Sequence, residues 1–86
     1  MSGGRQRVDV RWFAALADRT GCAEETIEVD GGADVAALWR ALVERHPALA
    51  DLPFRPLVAC DLDYSEWHRV LRDVREVAFL PPVSGG

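Results

Sequence analysis

The sequence predicts a small α+β domain in which one helix packs on one face of a mixed sheet of four or five strands. Two patterns carry this prediction. Short stretches that alternate apolar and polar residues lie near both ends of the chain, and one stretch with helical spacing of its apolar residues lies between them. With 86 residues, 49% of them hydrophobic, the chain is long enough for one core and too short for two.

Alternation predicts the first two strands. Residues 8–12 place Trp12 on the buried face, and the same parity directs Phe13 away from the core. Residues 24–29 alternate in the same way. The intervening stretch 18–22, which contains a glycine, is predicted to be a turn.

Residues 34–46 are predicted to form the main helix. Asp34 is a residue type that caps helix N-termini, and Pro47 prevents the helix from continuing. The apolar residues recur with the spacing of one helical face: Val35, Leu38, Trp39, Leu42 and Val43. His46 is expected to be a solvated residue at the helix end, and His68 is expected to be equally exposed.

The remaining strands lie after the helix. Residues 57–60 form a short apolar run typical of a buried strand. Residues 61–64 are predicted to be a turn into a weak strand or an irregular segment that continues through Val70. In residues 76–80, Phe79 points inward and Leu80 lies on the outer face. Because the helix supplies a long connection, the first and last strands can pair in parallel at the sheet centre. This arrangement is the β-grasp.

Composition excludes several classes of function. The net charge of −4, without a basic stripe, argues against binding to nucleic acid or to an anionic membrane. No apolar run approaches the roughly 20 residues of a membrane span, so we expect a cytoplasmic protein. Cys22 and Cys60 are 38 positions apart, without a ligand-spaced histidine, and are expected to be reduced thiols outside any metal site.

The most informative segment is the end of the sequence. Catalytic constellations such as Ser/His/Asp sets and phosphate-binding loops are absent from the sequence. We therefore divide the chain into a flexible N-terminus (1–7), a folded domain (8–80) and an extended tail (81–86). Pro81 and Pro82 cannot continue sheet pairing, and they stiffen the base of the tail.

Gly85 and Gly86 are the candidate reactive residues. Glycine has no Cβ, so a terminal diglycine can enter a channel too narrow for any side chain. A carboxylate is a poor acyl donor until it is activated, for example as an acyl-adenylate, which then accepts a nucleophile such as sulfur. The alternative is that Ser84, Gly85 and Gly86 are an inert end like the Ser-Gly-Gly near the N-terminus.

Four segments resemble the small subunit of molybdopterin synthase, a sulfur carrier of the ubiquitin-like family. They are residues 10–16 (VRWFAAL), 33–38 (ADVAAL), 44–49 (ERHPAL) and 76–86 (EVAFLPPVSGG). The last is the most specific, because the thiamine-pathway carrier shares only the terminal glycines. The chain departs from the family at Val74 and Arg75, where an Asp-Gly-Asp turn is usual.

The resemblance implies a role and partners. An E1-like activating enzyme would use ATP to adenylate Gly86 and convert it to a thiocarboxylate. The tail would then enter the large subunit of molybdopterin synthase, in a heterotetramer, and deliver sulfur to cyclic pyranopterin monophosphate. The chain itself would bind no cofactor and would supply a reactant rather than catalytic side chains. Its expected partner-binding residues are Phe13, Tyr64, Leu80, Pro81, Pro82, Val83 and Ser84.

Three alternatives stay open at this point. The chain could carry sulfur for thiamine synthesis, cysteine synthesis or tRNA thiolation. It could be a ubiquitin-like modifier joined through Gly86 to a lysine of a target protein. It could also be a β-grasp binding module with an inert tail. All ten basic residues of the chain are arginines, so it offers no lysine of its own for such a bond.

Overall fold

A computed structural model describes residues 4–82 of the chain. Two helices, one 3-10 turn and five strands occur in this range. In chain order they are β1 (Arg5–Trp12), α1 (Ala15–Thr20), β2 (Glu24–Asp30), α2 (Val35–Arg45), the 3-10 turn (Pro47–Leu49), β3 (Leu57–Cys60), β4 (Asp63–Ser65) and β5 (Glu76–Leu80).

The strands form one mixed sheet in the order β2-β1-β5-β3-β4. The two central strands, β1 and β5, are parallel, with Trp12 beside Phe79, whereas all other neighbours are antiparallel. A parallel pair needs a long crossover, which α2 and the segments around it provide. The predicted β-grasp arrangement, with the first and last strands paired at the centre, is confirmed.

Helix α2 confirms the prediction from apolar spacing. The Asp34 carboxylate accepts a hydrogen bond of 2.9 Å from the backbone N–H of Ala37, which satisfies one of the free donors of the first turn. Val35, Leu38 and Leu42 are buried on one side of the helix. They join the apolar face of the sheet in a single core.

Phe79 lies at the centre of an aromatic cluster. Its side chain is fully buried, and its ring centroid is 5.3 Å from that of Trp12, 5.0 Å from that of Trp39 and 5.8 Å from that of Trp67. Pairs at these separations add to the free energy gained by burying the rings. The cluster fixes β5, and therefore fixes where the chain leaves the sheet at Leu80.

Two boundaries predicted from the sequence are wrong. Strand β1 begins at Arg5 rather than at residue 8, so residues 5–7 belong to the sheet and the domain starts earlier than proposed. The stretch predicted as a turn at 18–22 is largely helix α1, which buries Leu16 completely. Gly21 ends this helix with a φ of 78°, a value that glycine adopts without strain.

The turn before β5 avoids the strain that a valine would bring. The residue with positive φ is Asp73, at 70°, whereas Val74 is buried in the core. Aspartate tolerates this region far better than a β-branched residue does. The Asp61 carboxylate also accepts hydrogen bonds from the backbone N–H groups of Arg75 and Glu76, at 3.1 and 2.9 Å, and holds the turn in place.

Neither helix found in residues 4–82 has the length and apolar character that crossing a lipid bilayer would require.

Candidate functional site

The face of the sheet opposite α2 has a charged half and an apolar half. On β1 and β2 it presents charged and polar side chains, with Arg7 beside Glu28 and Arg11 beside Glu24. On β5, β3 and β4 it presents mostly apolar ones, with Ala78 beside Ala59 and Leu80 beside Leu57. The apolar half includes β5, the strand that leads into the tail.

We call this apolar half, together with Phe13, the tail-side patch. It comprises Phe13, Leu57, Ala59, Tyr64, Ala78 and Leu80. The backbone N–H of Phe13 donates to the carbonyl of Phe79 at 3.3 Å, which keeps Phe13 next to Leu80. Leu57 and Tyr64 line one shallow depression of the surface.

The outward positions predicted for Phe13, Tyr64 and Leu80 agree with the structure. The side chains of Phe13 and Tyr64 are 42% and 72% exposed, and Leu80 is half-buried. Large apolar side chains exposed on one face of a sheet are typical of an interaction surface. Whether this surface binds a partner stays a prediction.

The first residues of the tail continue from this patch. Pro81 is half-buried and Pro82 is exposed, directly after Leu80. Val83, Ser84, Gly85 and Gly86 lie outside the residues that the structure describes. Leu57 is a patch residue that the sequence reasoning missed, because only the register between β3 and β5 places it beside Leu80.

A second cluster of functional groups surrounds Glu25 at the other edge of the sheet. Oε2 of Glu25 accepts a hydrogen bond of 2.6 Å from the Trp12 indole, and it lies 2.7 Å from Nε2 of His46. The thiol of Cys22 donates to the same oxygen at 3.6 Å. Oε1 accepts a bond of 2.7 Å from the guanidinium of Arg45.

This cluster corrects the prediction for His46. The side chain is only 17% exposed and packs against Glu25 and Trp12 rather than standing in solvent. Burial by itself raises the pKa of Glu25, but hydrogen bonds from Arg45, Trp12 and His46 outweigh it, so the pKa falls below its ordinary value of 4.5. His68, by contrast, is exposed as expected.

Replacement of Glu25 by alanine should lower the free energy of unfolding at pH 7 by about 1–3 kcal/mol, because the buried indole N–H of Trp12 loses its acceptor. Folding lowers the pKa of Glu25. The carboxylate therefore stabilises the fold fully at a pH above its pKa in the unfolded chain, and this stabilisation is lost as the pH falls through its pKa in the folded chain. Urea unfolding of Glu25→Ala and of the unaltered chain between pH 7 and pH 3 measures both effects.

Glu44→Ala is the matched control, since Glu44 is exposed on α2. It should change stability by less than about 0.5 kcal/mol at every pH. A difference between Glu25→Ala and the unaltered chain that is equally large at pH 7 and pH 3 would contradict this role of the carboxylate.

Comparison with known proteins agrees with this fold. The model of the ThiS family matches residues 10–86. The human molybdopterin synthase sulfur carrier subunit is 37% identical over 83 residues, covering 93% of this chain and 94% of the relative. The corresponding subunit of Mycobacterium tuberculosis is also 37% identical over 83 residues, and the match covers 93% of this chain and 98% of that subunit.

Among solved structures, SAMP1 from Haloferax volcanii, a small archaeal modifier protein, superposes with a TM-score of 0.79 at 30% identity. The match covers 94% of this chain and 100% of SAMP1. Family model, sequence relatives and structural neighbour thus agree over nearly the whole length. The chain therefore belongs to the ThiS family, as a homologue of the sulfur carrier subunits of molybdopterin synthase.

Proposed function

We propose that this chain is a sulfur carrier of molybdenum cofactor biosynthesis, with the carboxylate of Gly86 as its reactive group. The observation that supports this most is its near full-length similarity to sulfur carrier subunits of molybdopterin synthase, at 37% identity to the human one. The family model also extends through Gly85 and Gly86. Strand β5 is paired on both sides, with β1 and with β3, and the tail follows it directly in the sequence.

The chemistry requires activation before sulfur can be loaded. In the proposed reaction, an oxygen of the Gly86 carboxylate attacks the α-phosphate of ATP in an E1-like activating enzyme, and pyrophosphate leaves. A sulfur nucleophile then attacks the acyl carbon, displaces AMP and leaves a thiocarboxylate. ATP is used by the activating enzyme, and the chain itself holds no cofactor.

The thiocarboxylate then donates its sulfur in the large subunit of molybdopterin synthase. The proposed acceptor is cyclic pyranopterin monophosphate, and two carriers supply the two sulfurs that it needs. We expect two copies of each subunit in the complex. The relatives are named as subunits of this synthase, which supports a large-subunit partner.

The tail-side patch is proposed as the docking surface for both partners. Phe13, Tyr64 and Leu80 provide apolar area next to the root of the tail. Burial of this area would position the tail while Pro81 and Pro82 limit the entropy lost when it is captured. Val83 and Ser84 would then contact the channel that leads to the catalytic centre.

Intact mass spectrometry tests the carrier function. Incubation with a family activating enzyme, ATP and a sulfur source should raise the mass by the difference between one sulfur and one oxygen atom. The same chain without Gly86 is the control and should keep its mass. An unchanged mass of the complete chain under conditions that load a known carrier would rule out the proposal.

A second candidate is a ubiquitin-like protein modifier, which the likeness to SAMP1 favours. Because the chain has no lysine, such a modifier could not form polymers through its own side chains. Gly86-dependent high-mass adducts in cells would support this candidate. A loaded chain that fails to restore molybdoenzyme activity in a strain lacking its own small subunit would instead indicate another sulfur pathway, such as thiamine or cysteine synthesis or tRNA thiolation.

A further inference from the structure

Three side chains that can ligate a metal meet at the edge of the sheet that lies away from the tail-side patch. Cys22 precedes β2, and Glu25 is the second residue of β2, opposite Val10 of β1. His46 is the residue that caps the C-terminus of α2. Their Sγ, Oε2 and Nε2 atoms all lie within 4.8 Å of one another. We propose that Cys22, Glu25 and His46 bind one Zn²⁺ ion.

The donor atoms suit zinc better than the harder cations. Thiolate, imidazole and carboxylate are the three side-chain ligands that Zn²⁺ uses in proteins, whereas Mg²⁺ and Ca²⁺ require mainly oxygen. Two donor–donor distances bear on the geometry: 3.6 Å from Cys22 Sγ to Glu25 Oε2, and 2.7 Å from His46 Nε2 to the same oxygen.

These distances are close to those of a tetrahedral centre. Ligands at about 2.0–2.3 Å from zinc are separated from one another by about 3.3–3.8 Å. The sulfur–oxygen distance already falls in this range, and the imidazole needs to withdraw from the carboxylate by less than about 1 Å. A metal ion would take the place of the Cys22 thiol hydrogen between Sγ and Oε2, and it would be bound by Nε2 of a neutral His46 that carries its hydrogen on Nδ1.

The charge of the ion would be balanced locally. One thiolate and one carboxylate neutralise Zn²⁺, so the proton that leaves is the one on the Cys22 thiol. Arg45 holds the other oxygen of Glu25 at 2.7 Å, and the Trp12 indole donates to Oε2 at 2.6 Å. Such supporting hydrogen bonds orient ligands in metal sites.

The site leaves one coordination position for water. Glu25 and His46 are 13% and 17% exposed, and Cys22 is half-buried, so the cluster opens to solvent on one side. Structural zinc sites have four protein ligands, whereas this site would have three and one position open to water. None of the tail-side patch residues takes part, so metal binding is separable from sulfur delivery.

Equilibrium dialysis of the reduced, tag-free chain against Zn²⁺ tests the proposal. One ion should bind per chain. Cys22→Ala and His46→Gln should each weaken binding by more than the ~10–100-fold that loss of a supporting residue costs. The matched controls are Cys60→Ala, which alters the other cysteine, and His68→Gln, which alters the other histidine; both should bind Zn²⁺ as the unaltered chain does.

A second measurement uses the unaltered chain, so it tests the site even if the variants fold poorly. Co²⁺ bound to the unaltered chain should give a thiolate-to-cobalt charge-transfer band and should quench the fluorescence of Trp12, whose indole touches Glu25. Zinc binding that survives Cys22→Ala unchanged, or a one-to-one Co²⁺ complex without the charge-transfer band, would overturn the site. Absence of any binding at micromolar Zn²⁺ would do so as well, and would leave Glu25 as a hydrogen-bond acceptor only.

Discussion

Addition of one alanine after Gly86 should reduce sulfur delivery by at least about 100-fold. The extension moves the reactive carboxylate by about 3.3–3.6 Å and converts the carboxyl of Gly86 into an amide. A misplacement of reacting atoms by 1 Å can already cost about 100-fold in rate. The added Cβ would also meet the walls of a channel shaped for glycine. Intact mass after incubation with activating enzyme and ATP measures loading, and product formation by the synthase measures delivery.

Two controls separate the causes of this loss. Extension by one glycine moves the carboxylate without adding a Cβ, so it isolates the effect of position. An alanine inserted near the N-terminus, between Ser2 and Gly3, should leave loading unchanged. If the alanine-extended chain were loaded and delivered sulfur at the normal rate without being trimmed, Gly86 could not be the acyl donor.

The elements that the sequence predicted well are those stabilised by local pattern. Helix α2 has both a cap at Asp34 and apolar residues at helical spacing, so two independent signals agree on its position. The parallel pairing of β1 with β5 followed from connection length. The helix was therefore predictable from neighbouring residues, whereas the pairing of the first and last strands was predictable from the order and length of the elements between them.

Helix α1 was missed because its stability is not local. Six residues are far fewer than an isolated helix needs in water. It begins after Ala14, which has a φ of 53°, and it is held by the complete burial of Leu16. Gly21 was visible in the sequence as a turn signal, but it marks the end of a helix rather than the centre of a loop.

The cluster at Glu25 could not be predicted for a different reason. Its two other potential metal ligands, Cys22 and His46, lie 3 and 21 positions from Glu25, and neither spacing is that of a metal or catalytic motif. They meet because the end of α2 packs next to the start of β2, where Arg45 and His46 contact Glu25. A histidine after a helix is usually solvated, and only the packing against Trp12 makes His46 an exception.

Leu80→Ala should weaken binding to the large synthase subunit by about 30-fold, which corresponds to the roughly 2 kcal/mol lost at an interface hot spot. Leu80 is half-buried beside Leu57 on the tail-side patch, at the point where the chain leaves the sheet. Its truncation therefore removes contact area while leaving the core around Phe79 intact. Titration calorimetry measures the affinity, and thermal unfolding measures the stability.

Two comparisons make this result specific. Leu62 is 84% exposed and follows the end of β3 that pairs with Val77, at the opposite end of the sheet, so Leu62→Ala should leave the affinity unchanged. Phe79→Ala should cost about 3–5 kcal/mol in folding, since its ring is fully buried. If Leu80→Ala destabilised the fold to a similar extent, Leu80 would belong to the core. If it folded normally and bound with unchanged affinity, Leu80 would not be a hot spot of the interface, because truncation of a hot-spot side chain costs at least about 2 kcal/mol.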